Sequence, residues 1–458
     1  MEKRLFVLKN APENFSVLSA DGDFASALVS GILAEDLEED TFLPMAFSAE
    51  HLYLFVTHEE SGAPVCPPVR LSIENDAFSC EVQIPVGGPY LMDICIYDEE
   101  KGYFEKLHGA CRRHFFVGDV YLIAGQSNAA GKAGGILHES MELGVQLLRD
   151  LKEWDIASAP FSDYDDSKHN MFLHFAKIVR KHTGRPIGLV PAAMGGAPLS
   201  RFLPEENGDL YRKMMSALEK HSIRPKAVLW YQGCSDAGIG FSTEEYLARF
   251  ETFVKNIRND LQNESLPIYT FQLNRQIKPA PNETIDRKYD RIREAQRQAA
   301  EKIPGVFVFP AIDGLSMSDF IHASRLSYTA YAERLAAKVL LEEYGKGLGA
   351  SVPTIASARL AGRELILSFD GVESYLYDFR CGTPALPIEV SDGEGIIPLA
   401  SHSVYKNEIR IELSRAPSSD AFVSLQCGTD PRYYVADFLS GIPALCYYRY
   451  PIMNQEGE

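Results

Sequence analysis

The chain has 458 residues, of which 46% are hydrophobic and 24% are charged, and its formal net charge at pH 7 is -18. This length exceeds an ordinary single domain and predicts two or three domains of globular composition. The excess of acidic residues argues against nucleic acid and anionic membranes as partners, because phosphate groups are bound mainly by Lys and Arg.

The N-terminal segment and the cysteines bear on location and cofactors. The apolar run Leu5–Leu8 is too short for a secretion signal, and no stretch approaches the roughly 20 apolar residues of a membrane helix. The eight cysteines form no C-x-x-C pair, and no histidine cluster has the spacing of a zinc site. We therefore expect a cytoplasmic protein without metal or other cofactor, although a chain that had lost its leader would show the same pattern.

The first 116 residues alternate in short strand-like runs separated by Gly-, Pro- and Asp-rich turns. The clearest runs are His51–Val56, Val69–Ile73 and Tyr90–Tyr97. They predict an N-terminal β-rich, antiparallel domain over residues 1–116. The acidic run Glu35–Asp40 is expected to be a solvated face.

Residues 117–345 show strand-like runs that alternate with helical patterns, which is typical of an α/β domain. The strand-like runs are apolar on both faces, as expected for buried parallel strands. Helices are predicted at Phe172–Lys181, Thr243–Leu261, Asp286–Lys302 and Tyr328–Leu341.

After the glycine-rich joint Gly345–Gly349 the chain returns to strand-like runs such as Glu364–Phe369 and Glu408–Leu413. Residues 346–458 are therefore predicted to form a C-terminal β-rich domain. The two terminal regions could be separate domains, or one β-module that the α/β domain splits.

Four polar blocks stand out within the α/β region. The first three follow apolar runs directly, and an open α/β sheet places such strand ends at one edge, where ligands bind. We therefore expect the blocks to lie together. They are Gly125-Gln126-Ser127-Asn128, Met194-Gly195-Gly196-Ala197, Gln232-Gly233-Cys234-Ser235-Asp236 and, much later, Asp319-Phe320-Ile321-His322.

These residue types match the needs of a seryl hydrolase. A serine at the tip of a strand exposes its hydroxyl to a carbonyl group. Taken alone such a serine is more often a helix cap, but the presence of the other blocks favours Ser127 as nucleophile. His322 would be the base, and Asp319, three residues earlier, would orient its ring. Asp313 is a second candidate for that orienting role.

Together the blocks resemble the SGNH-hydrolase superfamily and, within it, sialate O-acetylesterases and related carbohydrate acetylesterases. Further similar segments are Gly87–Tyr90, Gly118–Tyr121, Arg293–Gln296, Arg432–Tyr434 and Gly441–Ala444. The resemblance implies a flavodoxin-like parallel-sheet catalytic domain over residues 117–345, with β-rich regions on either side. It also implies a catalytic set of Ser127, His322 and Asp319, and an oxyanion hole formed by Ser127, Gly196 and the side-chain amide of Gln232.

Three positions depart from the family pattern. Cys234 replaces a glutamate, Ala323 replaces the proline that usually follows the histidine, and Ala129 stands where methionine is frequent. None of these changes removes a member of the catalytic set, so they concern the substrate more than the chemistry. Cys234 could itself be a nucleophile, but nothing in the sequence brings a histidine beside it, and we assign it to packing.

The predicted activity is removal of O-acetyl groups from a sugar or oligosaccharide through an acyl-enzyme, without metal or cofactor. O-acetylated sialic acid is the favoured substrate, and an acetylated xylan fragment is the alternative. A sialate carboxylate needs a cationic partner, and Arg201, Arg275 and Arg325 lie near the blocks. An inactive carbohydrate-binding protein is a hypothesis of another class, which the intact catalytic set disfavours.

Overall fold

The computed structural model describes eleven segments of the chain, within which three regions follow one another. The described segments are residues 6–33, 51–98, 100, 103–106, 111–135, 139–162, 167–277, 282–314, 316–347, 351–379 and 387–454. The predicted acidic face Glu35–Asp40 lies outside these segments.

The N-terminal region consists of strands packed around their own apolar core. One sheet has the antiparallel order β1-β3-β6, and in the other β7 pairs with β4 and β8. Val29, Leu54 and Ile94 are among the buried residues that join the two sheets. The predicted β-rich region is confirmed. Its strands are β1 Phe6–Asn10, β2 Val17–Ser19, β3 Phe24–Leu33, β4 Leu52–His58, β5 Val69–Arg70, β6 Ala77–Pro85, β7 Gly87–Asp98 and β8 Tyr103–Lys106.

The central region is an α/β domain, as predicted. Its strands are β9 Arg112–Gly125, β10 Val145–Arg149, β11 Glu153–Ile156, β12 Ile187–Pro191, β13 Ala227–Tyr231, β14 Ile268–Phe271 and β15 Val306–Phe309. Its helices are α1 Ser127–Ala130, α2 Met171–Thr183, α3 Asp209–Lys220, α4 Cys234–Ile239, α5 Thr243–Asp260, α6 Glu283–Lys302 and α7 Arg325–Tyr344. The four predicted helices correspond to α2, α5, α6 and α7 and differ from them only at their ends.

The strand order is β11-β10-β12-β9-β13-β14-β15. The six strands β10, β12, β9, β13, β14 and β15 pair parallel to one another in that order. The edge strand β11 pairs antiparallel with β10. The start of β9 also pairs with β2 and with β7, the latter antiparallel. The sheet as a whole is therefore mixed, and the predicted domain boundary at residue 117 falls inside β9. The flavodoxin-like assignment stays a prediction.

Helices cover both faces of the central sheet, which explains why its parallel strands are mainly apolar. On one face α3, α5 and α6 pack on residues such as Trp230, whose ring lies 4.4 Å from that of Phe253. On the other face α2 and α7 pack around Tyr121, Phe175 and Tyr331.

The C-terminal region has its own core, which includes Leu367, Ile411 and Val435. Among the described strands none pairs with the N-terminal region, so the structure favours two separate β-rich regions. The main sheet has the order β21-β22-β17-β16-β26, and a second has the order β20-β19-β23-β25. The strands are β16 Thr354–Ala361, β17 Glu364–Asp370, β18 Leu376–Phe379, β19 Ile388–Asp392, β20 Gly395–Ile397, β21 Leu399–Tyr405, β22 Glu408–Leu413, β23 Phe422–Leu425, β24 Tyr434–Asp437, β25 Tyr447–Pro451 and β26 Met453–Asn454.

Two further features concern the described residues as a set. None of the helices among them is both long and apolar enough to span a membrane. The seven cysteines that they include are all free thiols, and Cys381 lies outside them.

Candidate active site

Three strand ends converge where the sequence predicted. Ser127 opens α1 directly after β9 and is 7% exposed. Gly125 has a φ of +127°, and a Cβ there would lie 2.3 Å from the carbonyl oxygen of Tyr231 at the end of β13. Only glycine permits this approach. The Gln126 N–H donates to Tyr231 O at 2.9 Å, and the Met194 N–H, beyond β12, donates to Gly125 O at 3.1 Å.

The convergence forms a cavity of about 320 Å³. It brings together residues from all four predicted blocks, because His322 arrives on the loop before α7. Ser127, Gly196 and His322 therefore share one cavity. The lining residues are Gln126, Ser127, Lys132, Gly195, Gly196, Cys234, Ser235, Ile321 and His322.

Asp319 orients the His322 ring as predicted from the spacing. Its Oδ2 lies 2.7 Å from His322 Nδ1, and its Oδ1 accepts the N–H groups of Ile321 and His322, each at 2.8 Å. Partial burial acts to raise the pKa of Asp319, but these hydrogen bonds outweigh it and hold the pKa below the ordinary carboxyl value. With Nδ1 engaged, Nε2 is the nitrogen left to exchange a proton. The other candidate, Asp313, instead pairs with Arg334 at 2.7 Å.

The predicted contact between nucleophile and base is not formed as a hydrogen bond. No hydrogen bond joins Ser127 Oγ to His322 among the described residues, although both side chains line the same cavity. Catalytic hydrogen bonds are often loose in free enzymes and tighten only with substrate. The contact therefore stays a prediction for the substrate complex.

Two buried asparagines are hydrogen-bonded to the backbone of the residues immediately before and after His322. Asn128 Oδ1 accepts the Ala323 N–H at 3.3 Å, and Asn274 Nδ2 donates to Ile321 O at 2.8 Å. The two side chains also bond each other at 3.0 Å. A proline at position 323 could not donate this N–H, which gives the departure from the family pattern a structural role.

Asn274 was missed by the sequence analysis. It belongs to the segment Gln272–Arg275, in which only Leu273 is apolar and which follows the apolar strand β14 directly. That placement is the same signal that marked the blocks after β9, β12 and β13, and it could have identified Asn274 as a residue of the site edge.

Two backbone donors are available for an oxyanion. In the described part of the chain, no acceptor takes up the N–H of Ser127 or of Gly196. Gly196 has a φ of +69°, which an L side chain rarely adopts, and the space around its Cα is open. Both residues line the cavity, so their N–H groups are suited to a developing negative charge.

Gln232 is placed differently from its predicted role. Its side chain is fully buried and does not line the cavity. Its Nε2 donates to Ala197 O at 3.2 Å and to Asp236 Oδ2, and its Oε1 accepts from Tyr246 Oη at 2.9 Å. Because both amide hydrogens are taken, the arrangement supports a bracing role for Gln232 and not that of an oxyanion donor.

Cys234 lines the cavity together with His322, a proximity that the sequence did not reveal. Burial raises the pKa of the Cys234 thiol to about 11, against the opposing effect of a hydrogen bond with Tyr289. Since the thiolate is the reactive form, this thiol is a poor nucleophile near neutral pH. The assignment of Cys234 to packing is compatible with this environment.

The three arginines predicted to bind substrate do not line the cavity. Arg201 Nε donates to Asp209 at 2.9 Å, and Arg275 Nε donates to Asp430 at 2.7 Å, so carboxylates of the protein hold both guanidinium groups. Arg325 is the first residue of α7. The basic residue that does line the cavity, besides His322, is Lys132.

In the segments that the structure describes, no group of three or more His, Cys, Asp or Glu side chains is arranged to hold a metal ion.

The comparisons with known proteins point to one family. Residues 117–341 match the family model "Carbohydrate esterase, sialic acid-specific acetylesterase". A probable carbohydrate esterase of Arabidopsis thaliana is 33% identical over 175 residues, which cover 32% of this chain and 66% of that protein, just under two thirds of its length.

A solved structure shares the architecture of nearly the whole chain. The crystal structure of a carbohydrate acetylesterase from Xanthomonas citri matches with a TM-score of 0.64 at 19% identity, covering 96% of this chain and 99% of that one. At this identity the match shows the fold, including the flanking β-rich regions. Residues 117–341 of this chain are thus similar to the sialic acid-specific acetylesterase family of carbohydrate esterases.

Proposed function

We propose that the protein is a serine esterase that removes O-acetyl groups from a carbohydrate through an acyl-enzyme intermediate. The observation that carries this proposal is the shared cavity of Ser127, Gly196 and His322, with Asp319 bonded to the far nitrogen of the histidine ring. The family match of residues 117–341 supports the class of reaction.

The site residues perform the reaction in two steps. Ser127 Oγ attacks the acetyl carbonyl carbon while His322 Nε2 takes the hydroxyl proton, and Asp319 stabilises the imidazolium. The N–H groups of Ser127 and Gly196 bind the oxyanion. The imidazolium then protonates the departing sugar oxygen. Water, deprotonated by His322 Nε2, attacks the acyl-enzyme. The imidazolium then returns the proton to Ser127 Oγ as the bond to the acyl carbon breaks, and acetic acid leaves and ionises to acetate in solution.

The size of the cavity favours a short acyl group. Its volume of about 320 Å³ lies at the low end of ligand pockets, which span roughly 300–1,000 Å³. Such a volume accommodates an acetyl group together with one sugar ring. Initial rates on acetyl and butyryl esters would show whether the site prefers the shorter acyl group.

O-acetylated sialic acid is the proposed substrate, and an acetylated xylan fragment is the alternative. The family description supports the first choice. Lys132 at the cavity supports it as well, because its ammonium group suits the carboxylate of an acidic sugar. The three arginines no longer support it, since none of them lines the cavity. Sialate and neutral xylo-oligosaccharide acetates, compared by kcat/KM, separate the two.

An inactive carbohydrate-binding protein remains the hypothesis of another class. It requires that the α/β domain has lost its chemistry. The Asp319–His322 pair and the unoccupied N–H groups of Ser127 and Gly196 favour an active site instead.

The deciding experiment measures acetate release and labels the nucleophile. The purified chain should hydrolyse 4-nitrophenyl acetate with and without EDTA, since the proposed route uses no metal. A serine-reactive fluorophosphonate should form an adduct that mass spectrometry assigns to Ser127. Ser235→Ala, which alters the other serine of the cavity, should still be labelled, whereas Ser127→Ala should not. A folded wild-type chain that neither releases acetate nor reacts would refute the proposal.

A further inference from the structure

Arg293 on α6 is fully buried, yet its guanidinium group is held by backbone carbonyl oxygens. Its Nε donates to Leu273 O at 2.8 Å, its Nη2 donates to Asn274 O at 2.9 Å, and its Nη1 donates to Gly428 O. Removing a cation from water is costly, and a planar fork with several donors is the side chain that can satisfy three carbonyls at once. Arg293 thus ties the segment after β14 to the C-terminal β-rich region.

The C-terminal partner is a short loop, residues 428–430, which we call the bracing loop. Its Thr429 O accepts the Gln276 N–H at 2.6 Å, and Asp430 Oδ1 accepts from Arg275 Nε at 2.7 Å. On the α6 side, the Gly428 N–H donates to Asp290 Oδ1 at 2.7 Å. The bracing loop is therefore fixed to α6 and to the segment after β14 at the same time.

The opposite side of that segment holds the loop that carries His322. Asn274 Nδ2 donates to Ile321 O at 2.8 Å, and the Ile277 N–H donates to Phe320 O at 2.7 Å. Residues 273–277 consequently lie between the bracing loop and the His322 loop and are hydrogen-bonded to both. A continuous set of bonds runs from the C-terminal region to the backbone beside the proposed base.

We propose that Arg293 and the bracing loop position His322, so that the C-terminal β-rich region is a working part of the esterase site. Arg293 and Asp430 line no part of the cavity and touch no reacting atom, so their role is one of positioning. The inference rests on the proposed function, because it assigns His322 the role of base. Its physical basis is that a displacement of about 1 Å at a catalytic group can lower the rate about 100-fold.

The first test is Arg293→Lys in the full chain. Lysine keeps the charge but cannot span three carbonyls, so kcat for an acetyl ester should fall about 10- to 100-fold while KM changes less than about twofold. Arg291→Lys, on the same helix and without a side-chain hydrogen bond among the described residues, should leave both constants unchanged. An Arg293→Lys protein that folds and keeps the wild-type kcat, or that changes only KM, overturns the proposal.

The second test decides the question even if the buried variant Arg293→Lys does not fold. Asp430→Asn removes the carboxylate that holds Arg275. Because the Asp430 side chain is 15% exposed, this position is less buried than Arg293. We expect a drop in kcat of about 3- to 10-fold, again with little change in KM. If Arg293→Lys does not fold, this variant alone decides, and an unchanged kcat overturns the proposal.

A readout without catalysis separates this inference from the proposed function. Hydrogen–deuterium exchange should show faster exchange of the Gln276 and Ile277 amides in both variants and not in Arg291→Lys, because these N–H groups donate to Thr429 O of the bracing loop and to Phe320 O of the His322 loop. Wild-type protein without esterase activity would refute the proposed function, whereas unchanged exchange in the variants would refute the positioning role.

Discussion

At the scale of single residues, Ser127, His322 and Asp319 are proposed to act as one unit. Asp319 receives two backbone N–H groups as well as the His322 ring, which keeps its carboxylate ionised and fixed in place. A unit of this kind fails as a whole when any member is removed, because each member is useful only in the presence of the others.

Substitutions in this unit should therefore be strongly non-additive. Ser127→Ala and His322→Ala should each lower kcat by about 10³-fold or more, and the triple variant with Asp319→Asn should fall little further. Asp319→Asn alone should cost less, because it disturbs the tautomer and the imidazolium without removing the attacking atom. Steady-state kinetics on an acetyl ester provide the measurement. Asp313→Asn is the matched control, since Asp313 pairs with Arg334 and not with the histidine.

Cys234→Ala should retain most of the esterase activity. The thiol, with its pKa raised to about 11 by burial, is almost entirely protonated at neutral pH and is not needed for attack. The measurement is kcat/KM on the same ester, with circular dichroism as a check on folding. A folded but inactive Cys234→Ala enzyme would point to the thiol as nucleophile.

At the scale of secondary-structure elements, the site depends on how closely the ends of β9 and β13 approach. Gly125 is the point of closest approach, where a Cβ would overlap the Tyr231 carbonyl oxygen at 2.3 Å. The turn that follows sets the direction of Ser127, so the strand ends position the nucleophile before any helix contributes.

Gly125→Ala should therefore lower both stability and activity. The added methyl group forces β9 and β13 apart and also requires a φ that alanine disfavours, so we expect a loss of about 2–4 kcal/mol in the free energy of unfolding. Gly184→Ala, at the C-cap of α2, has a similarly positive φ but open space around it, and should cost about 1 kcal/mol. Urea unfolding compares the two. Equal losses would show that the contact with Tyr231 does not matter.

At the scale of the whole molecule, α6 joins the catalytic domain to the C-terminal β-rich region through buried polar groups. Asp290 on this helix is 2% exposed and accepts the Gly428 N–H at 2.7 Å. Burial raises the pKa of Asp290 to about 6, against the opposing effect of Arg293. Burial at this interface therefore favours the protonated form of Asp290 over its carboxylate.

This raised pKa gives the interface a pH dependence of known sign. Because the folded-state pKa of about 6 lies above the ordinary value of 3.8, the contribution of Asp290 is fully favourable below about pH 4 and is lost as the pH rises through 6. Asp290→Asn should remove this loss, so that the stability of the variant relative to wild type rises between pH 4 and pH 7.

Thermal unfolding at pH 4, 5, 6 and 7 would measure the effect. Glu283→Gln, an exposed position at the start of the same helix, should leave the pH profile unchanged. An Asp290→Asn protein whose stability follows the wild-type pH profile would contradict the assignment.

The sequence by itself determined the alternation of strands and helices, the four blocks at the site and the Asp319–His322 pair. These features are local: buried strands and amphipathic helices follow from the spacing of apolar residues, and three residues of separation suffice to bring Asp319 to His322. The parallel arrangement of β9, β12 and β13 then brings Ser127 and Gly196 to one edge, where the rule for open α/β sheets expected them.

The tertiary structure alone decided which partners the other polar groups take. Asn128 meets Ala323 across 195 positions and Arg275 meets Asp430 across 155, and no local pattern encodes such contacts. The role of Gln232 was predicted from the family resemblance and that of the three arginines from their nearness to the blocks in the sequence, whereas a buried amide or guanidinium group takes whichever acceptor the packing brings within reach. For the same reason Arg293 became visible as a positioning residue only when β14, α6 and the C-terminal region were seen together, whereas the place of Asn274 directly after β14 is a signal in the sequence itself.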